Sequence, residues 1–284
     1  MSSLTLNSPA KLNLMLHITG RRADGYHLLQ TVFQFIDLSD RMTFELIEAP
    51  TISRSMSQTP VAESDDIILR AARLLQSRYR LARGIKISID KHIPIGGGLG
   101  GGSSNAATTL LALNQLWDLG LSVQTLARIG LELGADVPVF VHGFAAWADG
   151  IGEALTPIEL PEPHYLVIHP NINVSTAEIF SARELTRNCD AITIRAFLAG
   201  SGINVCETVV RKRYLEVGET LDWLNQFAEA RMTGTGACIY ASFDSREAAE
   251  RVKSRVPLNW QSFVARGMNH NPVHAQCGIF ENND

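Results

Sequence analysis

The segment Pro94-Ile95-Gly96-Gly97-Gly98-Leu99-Gly100-Gly101-Gly102-Ser103-Ser104-Asn105 places six glycines in seven positions. Directly after it, Ala106, Ala107, Leu110, Leu111, Leu113, Leu116 and Trp117 recur at helical spacing. So many glycines cost backbone entropy, and they let successive N–H groups turn inward as an anion nest at a helix N-terminus. The chemistry this suggests is phosphate binding. The plain alternative is a flexible loop with Ser103 or Ser104 as a simple N-cap. The segment is no Walker A loop, because no lysine follows Gly102, and the chain lacks the V-A-I-K, H-R-D and D-F-G marks of protein kinases. Gly96-x-Gly98-x-x-Gly101 matches the dinucleotide pattern and would suit an oxidoreductase. That reading also wants a buried parallel strand before the loop and an acidic residue ending a second strand, whereas Asp118 falls at a helix end.

Two other residues could do chemistry. Lys11 and Asn13 share one face of an alternating strand, with Leu12, Leu14, Leu16 and Ile18 on the other. Asp136 stands in Gly134-Ala135-Asp136-Val137-Pro138. Taken alone, Lys11 reads as a solvated strand lysine and Asp136 as a helix-end cap or Asx turn. His92, His142, His164 and His169 show no metal spacing, so no metal ligand is assigned. Cys189, Cys206, Cys238 and Cys277 are far apart with no C-x-x-C pair, and read as reduced thiols.

These residues must be positioned by a mixed set of elements. After the half-buried strand from Ala10, the polar stretch Glu48 to Asp66 reads as a long loop or ragged hairpin. A helix opens at Ile67 with Asp65 or Asp66 as cap. Ile85, Ile87 and Ile89 alternate with Lys86, Ser88 and Asp90, a strand with one wet face and so antiparallel. A helix from Val123 to Leu133 follows, and Pro138 pushes Val137 out of the helical region. Later come a strand at Tyr165 to Ile168, a helix at Leu221 to Ala230, a tight turn at Thr233-Gly234-Thr235-Gly236, a strand at Ala237 to Phe243 and a helix at Arg246 to Arg255. The lack of strict βαβ alternation makes the class α+β. With 284 residues the chain has material for two units, divided at a soft boundary near residues 152–162, giving 1–155 and 156–284.

The formal charge of −4 supplies no basic surplus for a phosphate backbone or an anionic bilayer, which argues against nucleic-acid and membrane partners. The start Met1-Ser2-Ser3-Leu4-Thr5 lacks the pattern of a signal peptide, so a cytoplasmic location is expected.

Ser8-Pro9-Ala10-Lys11-Leu12-Asn13-Leu14, the Pro94 to Ala107 loop, Gly134-Ala135-Asp136-Val137-Pro138 and Thr233-Gly234-Thr235-Gly236-Ala237-Cys238 together resemble the spaced motifs of the galactokinase, homoserine kinase, mevalonate kinase and phosphomevalonate kinase (GHMP) superfamily. Asp24-Gly25-Tyr26-His27 and the dense glycine loop resemble the branch acting on a cytidine-diphosphate-linked polyol. The resemblance implies a two-lobed α+β fold, with an N-terminal ATP-binding lobe like a ribosomal-protein domain with a left-handed βαβ unit, and a ferredoxin-like C-terminal lobe that binds substrate. It implies an ATP-dependent kinase. Pro94 to Ser104 would cradle ATP, with Ser103 or Ser104 near Mg²⁺. Asp136 would be the base and Lys11 would pair with it while polarising the acceptor hydroxyl. Tyr26 and Phe180 would sandwich the cytosine, His27 would read its polar edge, and Asn13 and Thr176 would contact the diphosphate or polyol. Without the resemblance, Tyr26 and Phe180 are core aromatics and His27 a turn histidine. Related kinases often place Asn-Leu where Asp66-Ile67 stands, beside the expected adenine pocket. The rivals are another kinase of the superfamily, of the homoserine or mevalonate type, and a non-catalytic sensor of the same fold. A monomer or weak homodimer is expected.

Overall fold

The computed structural model describes residues 3–23, 25, 27–56 and 65–279. Its first half runs β1 (Ser3–Arg21), β2 (His27–Ile47), β3 (Ile52–Met56), α1 (Ile67–Arg78), β4 (Gly84–Asp90), α2 (Gly101–Leu116), α3 (Val123–Leu131), α4 (Val137–His142), β5 (Ala146–Asp149) and β6 (Ala154–Pro157). The second runs β7 (His164–His169), α5 (Thr176–Ser181), α6 (Ile194–Leu198), α7 (Val205–Arg213), α8 (Leu215–Leu224), β8 (Arg231–Met232), β9 (Ile239–Phe243), α9 (Arg246–Lys253), β10 (Gln261–Met268) and α10 (Pro272–Gln276).

A long antiparallel pair, β1 with β2, forms the spine and is in register from Ser3↔Glu45 to Arg21↔His27, with bulges at Pro9/Ala10, Asn13/Met15 and Ile18/Gly20. Around it the sheet order is β3-β4-β2-β10-β7-β9-β8, with β1 also on β2 and β5 joining β2 to β6. One core packs α1 to α4 on the sheet through Phe44, Ile85, Ile87, Leu110 and Phe140, and takes in Val273 and Cys277 from the chain's end. A second joins Leu16 and Ile18 of β1 to Leu166, Val209, Leu221 and Ile239. Both cores therefore draw on distant parts of the chain. Between them a smaller cluster seats Leu99, the one non-glycine of the glycine run, against Leu12, Val167, Cys238 and Tyr240.

Several sequence expectations are corrected. The Lys11 face of β1 is not wet, since Lys11, Asn13, Met15 and His17 are all buried, because the glycine run and the Thr233–Gly236 turn lie on that face and the bulges shift its phase. Within the polar stretch before α1 lies β3, and β4 pairs antiparallel with β2 but parallel with β3. Pro138 opens α4 instead of ending a helix, because a first-turn residue has no intrahelical acceptor to lose. Helix α8 starts and stops six residues before the expected Leu221 to Ala230 segment. Asp66 does cap α1, accepting from Ile68 and Leu69 N–H. Among the described residues no helix is long and apolar enough to cross a membrane.

Candidate active site

Glycine conformations shape the loop between β4 and α2. Gly96, Gly98 and Gly100 have φ of +73°, +74° and +70°, a region that side chains strain to enter. Space is also limiting. A Cβ on Gly98 would lie 2.4 Å from Thr233 O, and one on Gly100 would lie 2.9 Å from Lys11 Cε and 3.0 Å from Phe140 Cζ. Gly100 is the N-cap of α2 and brings no side chain to it, so the N–H groups of Gly101, Gly102 and Ser103 face a cleft of about 390 Å³ without an intrahelical acceptor. The simple N-cap alternative fails. Ser103 lines the cleft, whereas Ser104 is fully buried with its hydroxyl 2.7 Å from Ser8 Oγ.

Lys11 passes beneath this loop. Its backbone N–H donates to Leu99 O, and its ammonium donates to Gly98 O at 3.1 Å and to Asn13 Oδ1. Asp136 Oδ2 lies 3.3 Å from the same nitrogen. Three oxygens thus surround an ammonium with three protons, and Phe33 presents its ring 5.4 Å away. Asn13 is occupied at both ends of its amide, since Nδ2 donates to Thr31 Oγ1 at 2.8 Å, so its first duty is to aim Lys11. Its backbone N–H donates to Thr233 Oγ1, tying β1 to the Thr233–Gly236 turn, and Thr176 reaches that turn through Thr235 at 2.8 Å.

Motif reading missed a buried network under the loop. Asp40 is fully buried in β2. Its Oδ1 accepts from His92 and Ile93 N–H at 2.8 and 2.9 Å, and its Oδ2 accepts from Lys91 and from Asn105 Nδ2 at 2.9 Å. Asn105 also donates to Ser8 Oγ. One carboxylate therefore fastens both flanks of the glycine run. The basic Lys91 before the run was its only sequence signal.

Asp66, at the edge of the cleft, has both oxygens engaged. Oδ1 caps α1, and Oδ2 pairs with the Arg54 guanidinium of β3. Arg54 accounts for an acid at this position, a partner the polar stretch before Asp66 did not reveal.

A second cleft, of about 550 Å³, is lined by Arg21, Gly25, His27, Leu29, Ala135, Ile151, Ala177, Phe180 and Ser181. His27 and Phe180 stack with centroids 5.3 Å apart at 28°. Tyr26 and Asp24 lie outside the described residues. Arg187 donates from Nε to His27 Nε2 at 3.1 Å. Burial foremost, then the charges of Arg187 and Arg21, push the His27 pKa down. Neither arginine was singled out from the sequence, because neither belongs to a motif. Among the described residues no three His, Cys, Asp or Glu side chains gather as a metal site.

From one cleft to the other the order is Gly98, Lys11, Asp136, Ala135. Gly98 O joins the open end of α2 to the Lys11 ammonium, the ammonium meets the Asp136 carboxylate, and the adjoining Ala135 lines the second cleft.

The N-terminal domain family of the GHMP kinases matches residues 66–144, and the GHMP kinase C-terminal family matches 182–261. The chain is similar to the 4-diphosphocytidyl-2-C-methyl-D-erythritol kinase of Nitrosococcus oceani, at 55% identity over 93% of this chain and 94% of that one. It is similar to the kinase of the same name from Hahella chejuensis, at 51% over 95% of each. A crystal structure of 4-(cytidine 5'-diphospho)-2C-methyl-D-erythritol kinase matches with a TM-score of 0.82 at 29% identity, over 93% of this chain and 99% of that one. Methanococcus jannaschii mevalonate kinase matches with a TM-score of 0.71 at 18% identity, over 94% of this chain and 99% of that one, a likeness of fold alone.

Proposed function

The chain belongs to the GHMP kinases, and on that premise we propose that it transfers the γ-phosphoryl group of ATP to the 2-hydroxyl of 4-diphosphocytidyl-2-C-methyl-D-erythritol, a step of non-mevalonate isoprenoid biosynthesis. The observation that carries this reading is the placing of the Lys11–Asp136 pair between the two clefts.

The glycine cleft takes the ATP phosphates on the N–H groups of Gly101, Gly102 and Ser103. Gly102 supports this role. A Cβ there would meet only Ile67 Cγ2, at 3.9 Å, so packing of the protein does not demand glycine, but the close approach of a phosphate does. The second cleft takes the cytosine, with Phe180 and Tyr26 as the rings that sandwich it, His27 at its polar edge and Thr176 toward the diphosphate or polyol.

Asp136 accepts the proton of the acceptor hydroxyl. The hydroxyl oxygen bonds to the γ-phosphorus, the bond to the β–γ bridging oxygen breaks, and ADP departs with that electron pair. Lys11, steered by Asn13 and Gly98 O, orients the Asp136 carboxylate and polarises the hydroxyl. Mg²⁺ would add positive charge on the β- and γ-oxygens. Ser103, whose side chain lines the cleft, would be the protein group near it, with phosphates and water supplying most other ligands.

In this reading residues 1–155 form the ATP-binding lobe and 156–284 the substrate-binding lobe, with His27 reaching from the first toward Phe180 of the second. The enzyme works in the cytoplasm, as a monomer or weak homodimer, without nucleic-acid or membrane partners; its four free thiols support a reducing compartment. The test is Mg²⁺-dependent ADP release with the cytidylated acceptor set against other alcohols.

A further inference from the structure

In the second cleft an arginine holds His27. The Arg187 guanidinium donates to His27 Nε2 through Nε–H, at 3.1 Å. A guanidinium has no acceptor, so Nε2 must be bare, and a neutral imidazole with a bare Nε2 carries its proton on Nδ1. Arg187 is itself fixed. Its Nη1 donates to Leu185 O at 3.0 Å, and its Nη2 donates to Phe180 O at 2.9 Å and to Ala182 O at 2.7 Å. The same side chain thus holds the histidine and the backbone of the ring stacked on it.

We propose that Arg187 is a positioning residue that keeps His27 neutral with its proton on Nδ1, so that the base slot presents a fixed N–H donor and prefers a pyrimidine whose ring N3 is an acceptor, cytosine, over one whose N3 carries hydrogen, uracil. The base preference rests on the function proposed above; the hydrogen-bond lock does not. Among the described residues the charges acting on His27 are Arg187, from the segment after α5, and Arg21, at the end of β1, and its stacking neighbour on α5 is the uncharged Phe180. Both cations oppose a second proton on the ring, as does its burial.

The experiment is imidazole nitrogen NMR of histidine-labelled protein, assigned with His27→Gln, together with kinetics of wild type and Arg187→Gln on cytidylated and uridylated acceptors. In the wild type, His27 shows a protonated Nδ1 and bare Nε2 at about pH 8 and keeps them below the pH at which an ordinary histidine takes up its second proton. In Arg187→Gln the ring exchanges tautomers and titrates closer to 6.5. The KM for the cytidylated acceptor rises about tenfold with kcat nearly unchanged, it rises further on acidification, and the preference over the uridylated acceptor narrows. A wild-type His27 protonated on Nε2, or titrating at the ordinary histidine value, overturns the lock, and needs no variant to fold. A folded Arg187→Gln with unchanged tautomer, pH profile and base preference also overturns it. Failure of the wild type to phosphorylate the cytidylated acceptor, with Nδ1 protonated, removes the function and the base preference and upholds the lock.

Discussion

Lys11 Nζ lies 3.3 Å from Asp136 Oδ2, and the two side chains differ sharply in exposure, 3% against 35%. The ammonium is enclosed, while the carboxylate is partly open to solvent. That asymmetry suits a pair in which the lysine orients and the aspartate meets the incoming hydroxyl. Asp136→Asn keeps the shape and should lower kcat by about 10²–10⁴ if proton transfer dominates, with ATP affinity little changed. Single-turnover kinetics with an ATP-binding isotherm would check it. Unchanged turnover removes Asp136 from the chemistry.

The glycines divide by what their hydrogens avoid. Gly100→Ala, strained at φ +70° and 2.9 Å from Lys11 Cε, should cost about 1–3 kcal/mol and displace the lysine, lowering kcat at least about tenfold. Gly102→Ala meets nothing closer than 3.9 Å and removes a helical glycine, so it should stabilise by about 0.5–1 kcal/mol while raising the KM for ATP. Urea unfolding and steady-state kinetics separate the two. A destabilised Gly102→Ala, or one with unaltered KM, would contradict the phosphate cradle.

Arg54 and Asp66 form a buried pair, 9% and 4% exposed. Arg54→Met strands the carboxylate and should cost about 3–5 kcal/mol. Adding Asp66→Asn keeps the α1 cap and removes the stranded charge, so the double variant should recover much of the loss. Strict additivity in the unfolding cycle would show that the two do not act as a pair.

Acid should weaken the fold through its histidines. His142, on α4, has its pKa pushed below 6.5 by burial first and by His274 second. The unfolded chain therefore binds protons at a higher pH than the native one, and stability falls as pH drops through 6.5 toward the native value. The urea midpoint should be lower at about pH 5.5 than at about pH 7.5. His142→Gln should lessen that difference; an identical difference in the variant would exclude His142 as a contributor.

The sequence exposed what is locally encoded. Glycine density announced the loop, the Asp65-Asp66 pair the cap of α1, which Asp66 supplies, and Ile85, Ile87 and Ile89 the strand β4. Hidden were features made by distant parts of the chain. Asp40 is one acid within a strand until His92, Ile93 and Asn105 close around it, and Arg187 is an arginine in a loop until the fold brings it 160 positions back to His27. The burial of Lys11 and Asn13 escaped the alternating pattern because Lys11 is covered by the glycine run and Asn13 is bonded to Thr233, both far along the chain.

The most direct test of the account is ADP release from ATP and Mg²⁺, comparing 4-diphosphocytidyl-2-C-methyl-D-erythritol with its uncytidylated phosphate, homoserine and mevalonate. Turnover is expected with the cytidylated compound alone, abolished or strongly reduced in Asp136→Asn. Turnover of another alcohol in preference to it, or none with any of the four, would contradict the assignment of the His27 and Phe180 slot and of the reaction itself.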